Sequence, residues 1–209
     1  MKKLLLLLFT GIVGLGSAQN VNIPDANFKA YLVGSSNINT NGDTEIQDSE
    51  AAGFNGQIDC SGLNIFDLTG IEAFTALTFL WCGENQLTSL DVTQNTNLTS
   101  LSCGSGPFGG NQLTSLDVTQ NTALEGLQCE NNQLTNLDVT QNTALITLNC
   151  KSNQLTSLDV TQNTALTYLD CWSNQLTSLD VTQNTALTDL GCWSNQLTSL
   201  DVTQNTALT

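Results

Sequence analysis

Seven cysteines, the most reactive side chains of this sequence, recur at an almost constant spacing. Regularly spaced thiols could form disulfides or hold a metal ion. The chain has no histidine and no C-x-x-C motif, which disfavours a metal centre, and an odd number of cysteines leaves at least one thiol free. The cysteines stand at positions 60, 82, 103, 129, 150, 171 and 192. Their role therefore depends on the elements that carry them.

A pair of carboxylates is the second candidate for chemistry. Asp170 and Asp189 occur close to Tyr168 and Trp172, and two carboxylates beside aromatic rings could act as they do in a glycosidase. The absence of histidine excludes histidine-based catalytic triads. Nothing in the sequence marks a deep pocket that would exclude water. We therefore expect no enzyme, and a carbohydrate-active enzyme is the alternative.

A loop near the N-terminus, NTNGDTEIQDSE, is the third candidate. It resembles an EF-hand calcium loop, with Ile46 at the expected apolar position. Its ligand positions hold Asn39, Asn41, Asp43 and Glu50. Asn39 replaces the usual aspartate and Thr44 replaces the glycine of the sharp turn, so a calcium site here should be weak. We favour the alternative, a structural turn between two cap helices, and expect no other cofactor.

Composition restricts the partners. Residues 19–209 keep all 19 acidic side chains but only Lys29 and Lys151 among the basic ones. Nucleic acid is therefore excluded as a partner, because phosphate contacts need lysine and arginine. Anionic membrane surfaces are disfavoured for the same reason.

The segment from Met1 to Ala18 has the pattern of a secretory signal peptide. Two lysines precede an apolar run, and Gly16 and Ala18 stand at the small-residue positions of a cleavage site. The apolar run from Leu4 to Leu15 is too short to span a bilayer, and no other stretch is apolar enough. We expect a secreted or cell-surface protein that is not inserted in a membrane after signal cleavage.

These residues belong to structural elements that the sequence encodes as a repeat. The stretch LTSLDVTQNT, or a near copy, begins at positions 87, 113, 134, 155, 176 and 197. The spacing is constant except for the first interval, which the insertion GSGPFGG at 104–110 lengthens. A period of about 21 residues indicates a solenoid, in which each coil buries its apolar face against the next.

The repeat unit, LxxLxCxxNxLxxLDVTQNTA, resembles the leucine-rich repeat. The residues that carry the resemblance in one unit are Leu166, Leu169, Cys171, Asn174, Leu176, Leu179 and Val181. The length of the unit, with cysteine at the second strand position, is most similar to internalin-J-type bacterial surface proteins. The wording of the N-terminal segment and of the repeat also resembles secreted repeat proteins of Bacteroidota.

The resemblance implies a leucine-rich-repeat solenoid. Parallel β-strands would form its concave face, short β or 3₁₀ segments its convex face, and a small helical segment its N-terminal cap. The predicted division is a signal peptide at 1–18, a helical cap with the EF-hand-like loop at 19–56, and about seven coils at 57–209, the last one incomplete. We also expect further repeats or another domain C-terminal to Thr209.

Strand alternation assigns the cysteines to the core. In the unit around Tyr168, Leu169 and Cys171 point inward while Tyr168, Asp170 and Trp172 point outward. A cysteine at an inward leucine position acts as a small buried hydrophobe. Neighbouring cysteines on parallel strands would be about 4.8 Å apart with parallel Cβ vectors, whereas a disulfide prefers about 3.8 Å and crossing vectors. We therefore favour a ladder of free thiols over disulfide pairing.

Outward strand positions vary while the rest of the repeat barely changes, and all three tryptophans stand there. Exposed aromatic residues on a rigid sheet are typical of binding hot spots. The alternative is drift at tolerant positions, with aromatics favoured as strand formers. The candidate ligand-binding residues are Phe79, Trp81, Glu130, Lys151, Tyr168, Asp170, Trp172, Asp189 and Trp193.

The sequence thus predicts an adhesin-like binding module that recognises a protein or a glycan on its concave face, with GSGPFGG as a loop at the rim. Two alternatives remain: the carbohydrate-active enzyme, and a structural spacer that displays another domain.

Overall fold

The protein forms a single stack of coils built around one parallel sheet, as seen in a computed structural model that describes residues 19–104 and 110–209. Seven strands of three residues each lie in chain order in the sheet, and each pairs in parallel with the next. They are β1 (Gln57–Asp59), β2 (Phe79–Trp81), β3 (Ser100–Ser102), β4 (Gly126–Gln128), β5 (Thr147–Asn149), β6 (Tyr168–Asp170) and β7 (Asp189–Gly191). The predicted solenoid is confirmed. The predicted signal peptide, residues 1–18, and residues 105–109 of the insertion lie outside the described residues.

The register of the sheet pairs residues that occupy the same position of the repeat in neighbouring coils. Leu148 pairs with Leu127 on one side and with Leu169 on the other, and all three are fully buried. Each central leucine is flanked by outward residues, as the alternation predicts. The residues that stay the same from repeat to repeat are therefore those that pack against their own copy in the next coil.

The cysteines are free thiols in this core. Six of them are buried and Cys192 is half-buried. Burial raises the pKa of Cys60, Cys103 and Cys171 to about 12, which keeps these thiols protonated and unreactive at neutral pH. The expected free-thiol ladder agrees with this arrangement.

One asparagine ladder closes the strands. The Asn85 amide oxygen accepts from the backbone N–H groups of Leu63 and Ile65, each at 3.0 Å, and its Nδ2 donates to the carbonyls of Cys60 and Cys82. Asn111, Asn132, Asn153, Asn174 and Asn195 repeat this bridge in later coils. Each side chain thereby satisfies backbone groups of two coils at the turn.

A second asparagine ladder was missed by the sequence interpretation. The asparagine of each QNT segment is buried, and in Asn163 the side-chain Nδ2 donates to the carbonyls of Val139 and Asn142 in the preceding coil, at 2.9 and 2.8 Å. The members of this ladder are Asn95, Asn121, Asn142, Asn163, Asn184 and Asn205. The two ladders therefore tie every coil to its neighbour on both sides of the core.

The convex side consists mainly of turns. Leu179 and Val181 are buried and Asp180 is exposed. Regular convex strands do not form in the described residues; Asp91 and Asp117 make one isolated bridge, and the one 3₁₀ segment is Ile71–Ala73. The reason is local: the aspartate of each LDV segment accepts from the backbone N–H and the hydroxyl of the threonine two residues later, which bends the chain. We call these residues the aspartate ladder: Asp91, Asp117, Asp138, Asp159, Asp180 and Asp201.

Two short helices cover the first coil. Helix α1 (Ala26–Gly34) begins at Asp25, whose carboxylate accepts from the N–H groups of Asn27 and Phe28. Its Phe28 and Leu32 are fully buried against the core. Helix α2 (Asp48–Gly53) has a capping box in which Gln47 and Glu50 bond to each other's backbone N–H groups. Among the described residues, no helix is long and apolar enough to cross a membrane.

Candidate functional site

The concave face is a grid of outward side chains in three columns. Two columns come from the first and last residue of each strand, and the third from the residue that follows each cysteine. The columns are 57, 79, 100, 126, 147, 168 and 189; 59, 81, 102, 128, 149, 170 and 191; and 61, 83, 104, 130, 151, 172 and 193. All nine predicted ligand-binding residues lie in this grid.

Aromatic residues form two clusters on this face, at β2 and at β6–β7. Phe79 and Trp81 have 40% and 38% of their surface exposed, and Tyr168 and Trp193 have 37% and 63%. With a strand spacing of about 4.8 Å, β2 and β6 are about 19 Å apart. Only small or polar outward residues stand between them in these strands, at Ser100, Ser102, Gly126, Gln128, Thr147 and Asn149. We call this segment the trough.

The second aromatic cluster is a stack. The rings of Trp172 and Trp193 lie 4.4 Å apart between centroids, with an angle of 6° between their planes. The ammonium group of Lys151 lies 5.9 Å from the Trp172 ring centroid, which is within cation–π range. Because Lys151 and Trp193 belong to the coils before and after Trp172, they cover opposite faces of its ring.

Two of the predicted acidic residues are more buried than the sequence suggests. Glu130 and Asp170 are only 8% and 7% exposed although both stand in outward columns. Each carboxylate lies over a glycine of an adjacent coil: a Cβ at Gly104 would be 2.5 Å from Glu130 Oε2, and a Cβ at Gly191 would overlap with Asp170 Oδ1. These glycines leave the room that the two carboxylates occupy. The pairing of an acid with a glycine one coil away was the signal available in the sequence.

Charge interactions link these residues. Lys151 Nζ lies 3.7 Å from Asp170 Oδ2, and the Tyr168 hydroxyl donates to the same oxygen at 3.4 Å. Burial raises the pKa of Glu130, which the nearby Lys151 opposes and Asp170 reinforces. Burial and the negative charge of Asp170 also raise the pKa of Tyr168. Asp189 is exposed, so it is the accessible carboxylate of this cluster.

The EF-hand-like loop brings its four predicted ligands together as a turn. The Glu50 carboxylate accepts from the N–H groups of Thr40 and Gln47 at 2.8 and 3.1 Å. The Asn41 side-chain oxygen accepts from the N–H of Asp43, and the Asn39 oxygen accepts from that of Gly42. In the part of the chain that the structure describes, no group of three or more Cys, Asp or Glu side chains is placed to hold a metal ion. Calcium binding and the alternative of a structural turn both stay predictions.

No protein-family model matches the chain. Internalin J of Listeria monocytogenes serotype 4b (strain F2365) is 45% identical over 83 residues, which are 39% of this chain and 9% of that protein. The solved functional domain of InlJ from Listeria monocytogenes, described as including a cysteine ladder, is 34% identical with a TM-score of 0.45 over 93% of this chain and 56% of that one. A leucine-rich repeat protein of Leptospira interrogans is 30% identical with a TM-score of 0.60, covering 67% of this chain and 38% of the other.

Fold and comparisons define the class of protein. The chain is a leucine-rich-repeat solenoid with parallel strands on its concave face. The similarity of its cysteine-bearing repeats to those of internalin J is confirmed. The chain spans less than a tenth of that curated relative and about half or less of the two solved chains. The likeness to Bacteroidota proteins stays a prediction.

Proposed function

We propose that this chain is a secreted or surface-displayed binding module that recognises its ligand on the concave face. One observation carries the proposal: the exposed aromatic residues Trp81, Tyr168 and Trp193 stand at variable positions of a rigid sheet whose other positions repeat almost unchanged. Large exposed aromatic side chains lose little conformational entropy on binding and dominate interface energies. The similarity of the repeats to those of internalin J supports this proposal.

The proposal does not include catalysis. Asp170, one member of the carboxylate pair, is held by Tyr168 and Lys151, and its carboxylate is occupied in these contacts. The sheet is open, whereas general acid catalysis by a carboxyl group benefits from a site that excludes water. Binding of a glycan without turnover would separate a binding module from a carbohydrate-active enzyme.

Ligand binding can be tested with residues 19–209 on a glycan array and on a peptide library. Trp193→Ser should reduce the affinity for the selected ligand by about 2 kcal/mol or more, because a hot-spot aromatic is lost. Phe66→Ser is the matched control: Phe66 is 60% exposed but lies outside the concave strands. Equal affinities of both variants and the parent chain would contradict the proposal and favour the structural spacer.

A further inference from the structure

The two basic side chains of the described part of the protein are already paired. Lys29 Nζ lies 2.7 Å from Glu45, and Lys151 lies 3.7 Å from Asp170. The sequence has no arginine, and residues 105–109 add no basic residue. The concave face therefore carries four carboxylates, at Asp59, Glu130, Asp170 and Asp189, and one lysine that is already paired with Asp170. Such a face repels an anionic ligand, for example an acidic glycan.

The aromatic stack offers a sugar only one open ring face, the outer face of Trp193. A sugar ring packs on an open aromatic face, but both faces of Trp172 are covered, by Lys151 and by Trp193. The stack offers ring edges and the outer face of Trp193, which is 63% exposed. Ring edges and a wide trough suit the side chains of a protein segment.

Lys151 shows which charge this face accommodates. Its ammonium group lies between Asp170 and the Trp172 ring, and the strand register places Glu130 one coil away in the same column. Carboxylates combined with an aromatic face form the environment in which proteins bind ammonium and guanidinium groups. The site therefore already holds one cation, which comes from the chain itself.

We propose that the partner is a protein segment rich in lysine or arginine, which lies across the trough with its basic side chains toward Asp189, the exposed carboxylate at the β7 end of this face. This inference rests on the proposed function, since it specifies the partner of the same face. Lys151, the one cation among the described residues of this face, repels the basic side chains of such a partner. The net negative charge of the chain, −15 over the full sequence, accelerates association with such a segment.

The sign of the effect at Lys151 distinguishes a basic from an acidic partner. Peptides selected on residues 19–209 from a phage-displayed random dodecapeptide library are the probe. Lys151→Met keeps the aliphatic stem and should tighten binding roughly two- to five-fold, because a cation that repels the partner is removed. Asp189→Asn should weaken binding by a similar factor. Asp180→Asn, on the convex side, removes the same charge and should leave affinity within two-fold, since that carboxylate lies away from the sheet.

The outcomes separate this inference from the proposed function. Enrichment of basic peptides, with tighter binding to Lys151→Met and weaker binding to Asp189→Asn, supports the inference. Selected peptides that are neutral or acidic, yet lose affinity in Trp193→Ser, overturn the inference and leave the binding module standing. Equal weakening by Asp180→Asn and Asp189→Asn shows unspecific attraction and overturns it as well. No selected peptide would overturn the inference, and it would overturn the binding module as well if no glycan binds on the array. Peptides insensitive to Trp193→Ser would overturn both. Thermal unfolding of each variant confirms that it is folded.

Discussion

The buried asparagine of the QNT segment offers a sharp test of how the coils are held together, through Asn163→Asp. The Asn163 side chain is fully buried, and its Nδ2 donates to two carbonyls of the preceding coil while its Oδ1 has no partner. Each of these carbonyls also accepts a backbone N–H, from Asn142 and Leu145, so neither is left unpaired when the amide is lost. The substitution replaces two donors by an acceptor that faces two other acceptors.

The magnitude follows from two contributions. Losing two buried hydrogen bonds costs roughly 1–3 kcal/mol. Full burial raises the pKa of a carboxyl group by about 3–5 units, so the folded state keeps the group protonated near pH 7. In the unfolded state the group ionises with a pKa of about 3.9, and keeping it protonated at pH 7 therefore costs about 4 kcal/mol. Together they predict a loss of roughly 5–7 kcal/mol in the free energy of unfolding at pH 7.

The second contribution has a defined pH dependence. A carboxyl group whose pKa is higher in the folded than in the unfolded state binds more protons when folded, so it destabilises increasingly as pH rises above the unfolded value of about 3.9. At pH 4 the protonated side chain can donate one hydrogen bond, and the penalty should fall to about 1–2 kcal/mol.

Urea unfolding followed by tryptophan fluorescence measures these values. Asn136→Asp is the matched control at each pH, because it introduces the same carboxyl group at an exposed position. The reasoning is refuted if the two variants differ by less than about 1 kcal/mol at pH 7, or if their difference stays constant between pH 7 and pH 4.

Three further predictions concern the face, the thiols and the convex carboxylates. Gly126→Trp should fill the trough and weaken binding of a selected ligand at least about ten-fold. The protein can accommodate this side chain, because a Cβ at Gly126 meets only Thr147 Oγ1 at 3.3 Å and Ser100 Oγ at 3.8 Å. Gln183→Trp is the control on the convex side, and equal binding by both variants would contradict the prediction. A thiol reagent at pH 8 should modify only Cys192 in the native chain and the remaining thiols on unfolding, since Cys192 is half-buried whereas the other six are buried, although burial raises the pKa of all of them; rapid native modification of several thiols would refute it. Hydrogen bonds from the following threonines lower the pKa values of the aspartate-ladder carboxylates at 117, 138, 159, 180 and 201, so stability should decline as pH falls below about 4. Added salt should raise the melting temperature at pH 7, because it screens the repulsion between these carboxylates. A melting temperature independent of salt would argue against repulsion along the aspartate ladder.

The periodicity of the sequence was sufficient to derive the architecture. An apolar letter that recurs once in every repeat must pack against its own copy, so Leu169, Cys171 and Val181 could be assigned to the core and Trp193 to the surface without coordinates. Asn174 recurs at the turn of every unit, where a buried turn needs partners for its backbone groups and the stacked asparagines supply them.

Contacts between coils were decided by the tertiary structure. Asn163 looked like an ordinary residue of a polar turn, and only the stacking of coils shows that its amide reaches carbonyls of the preceding repeat. The burial of Glu130 and Asp170 likewise depends on Gly104 and Gly191, which lie one coil away. Alternation specifies the face on which a side chain stands, since this is a property of one strand. Whether that side chain is then exposed, stacked or covered depends on the shape of its neighbours in space, as for Trp172 between Lys151 and Trp193.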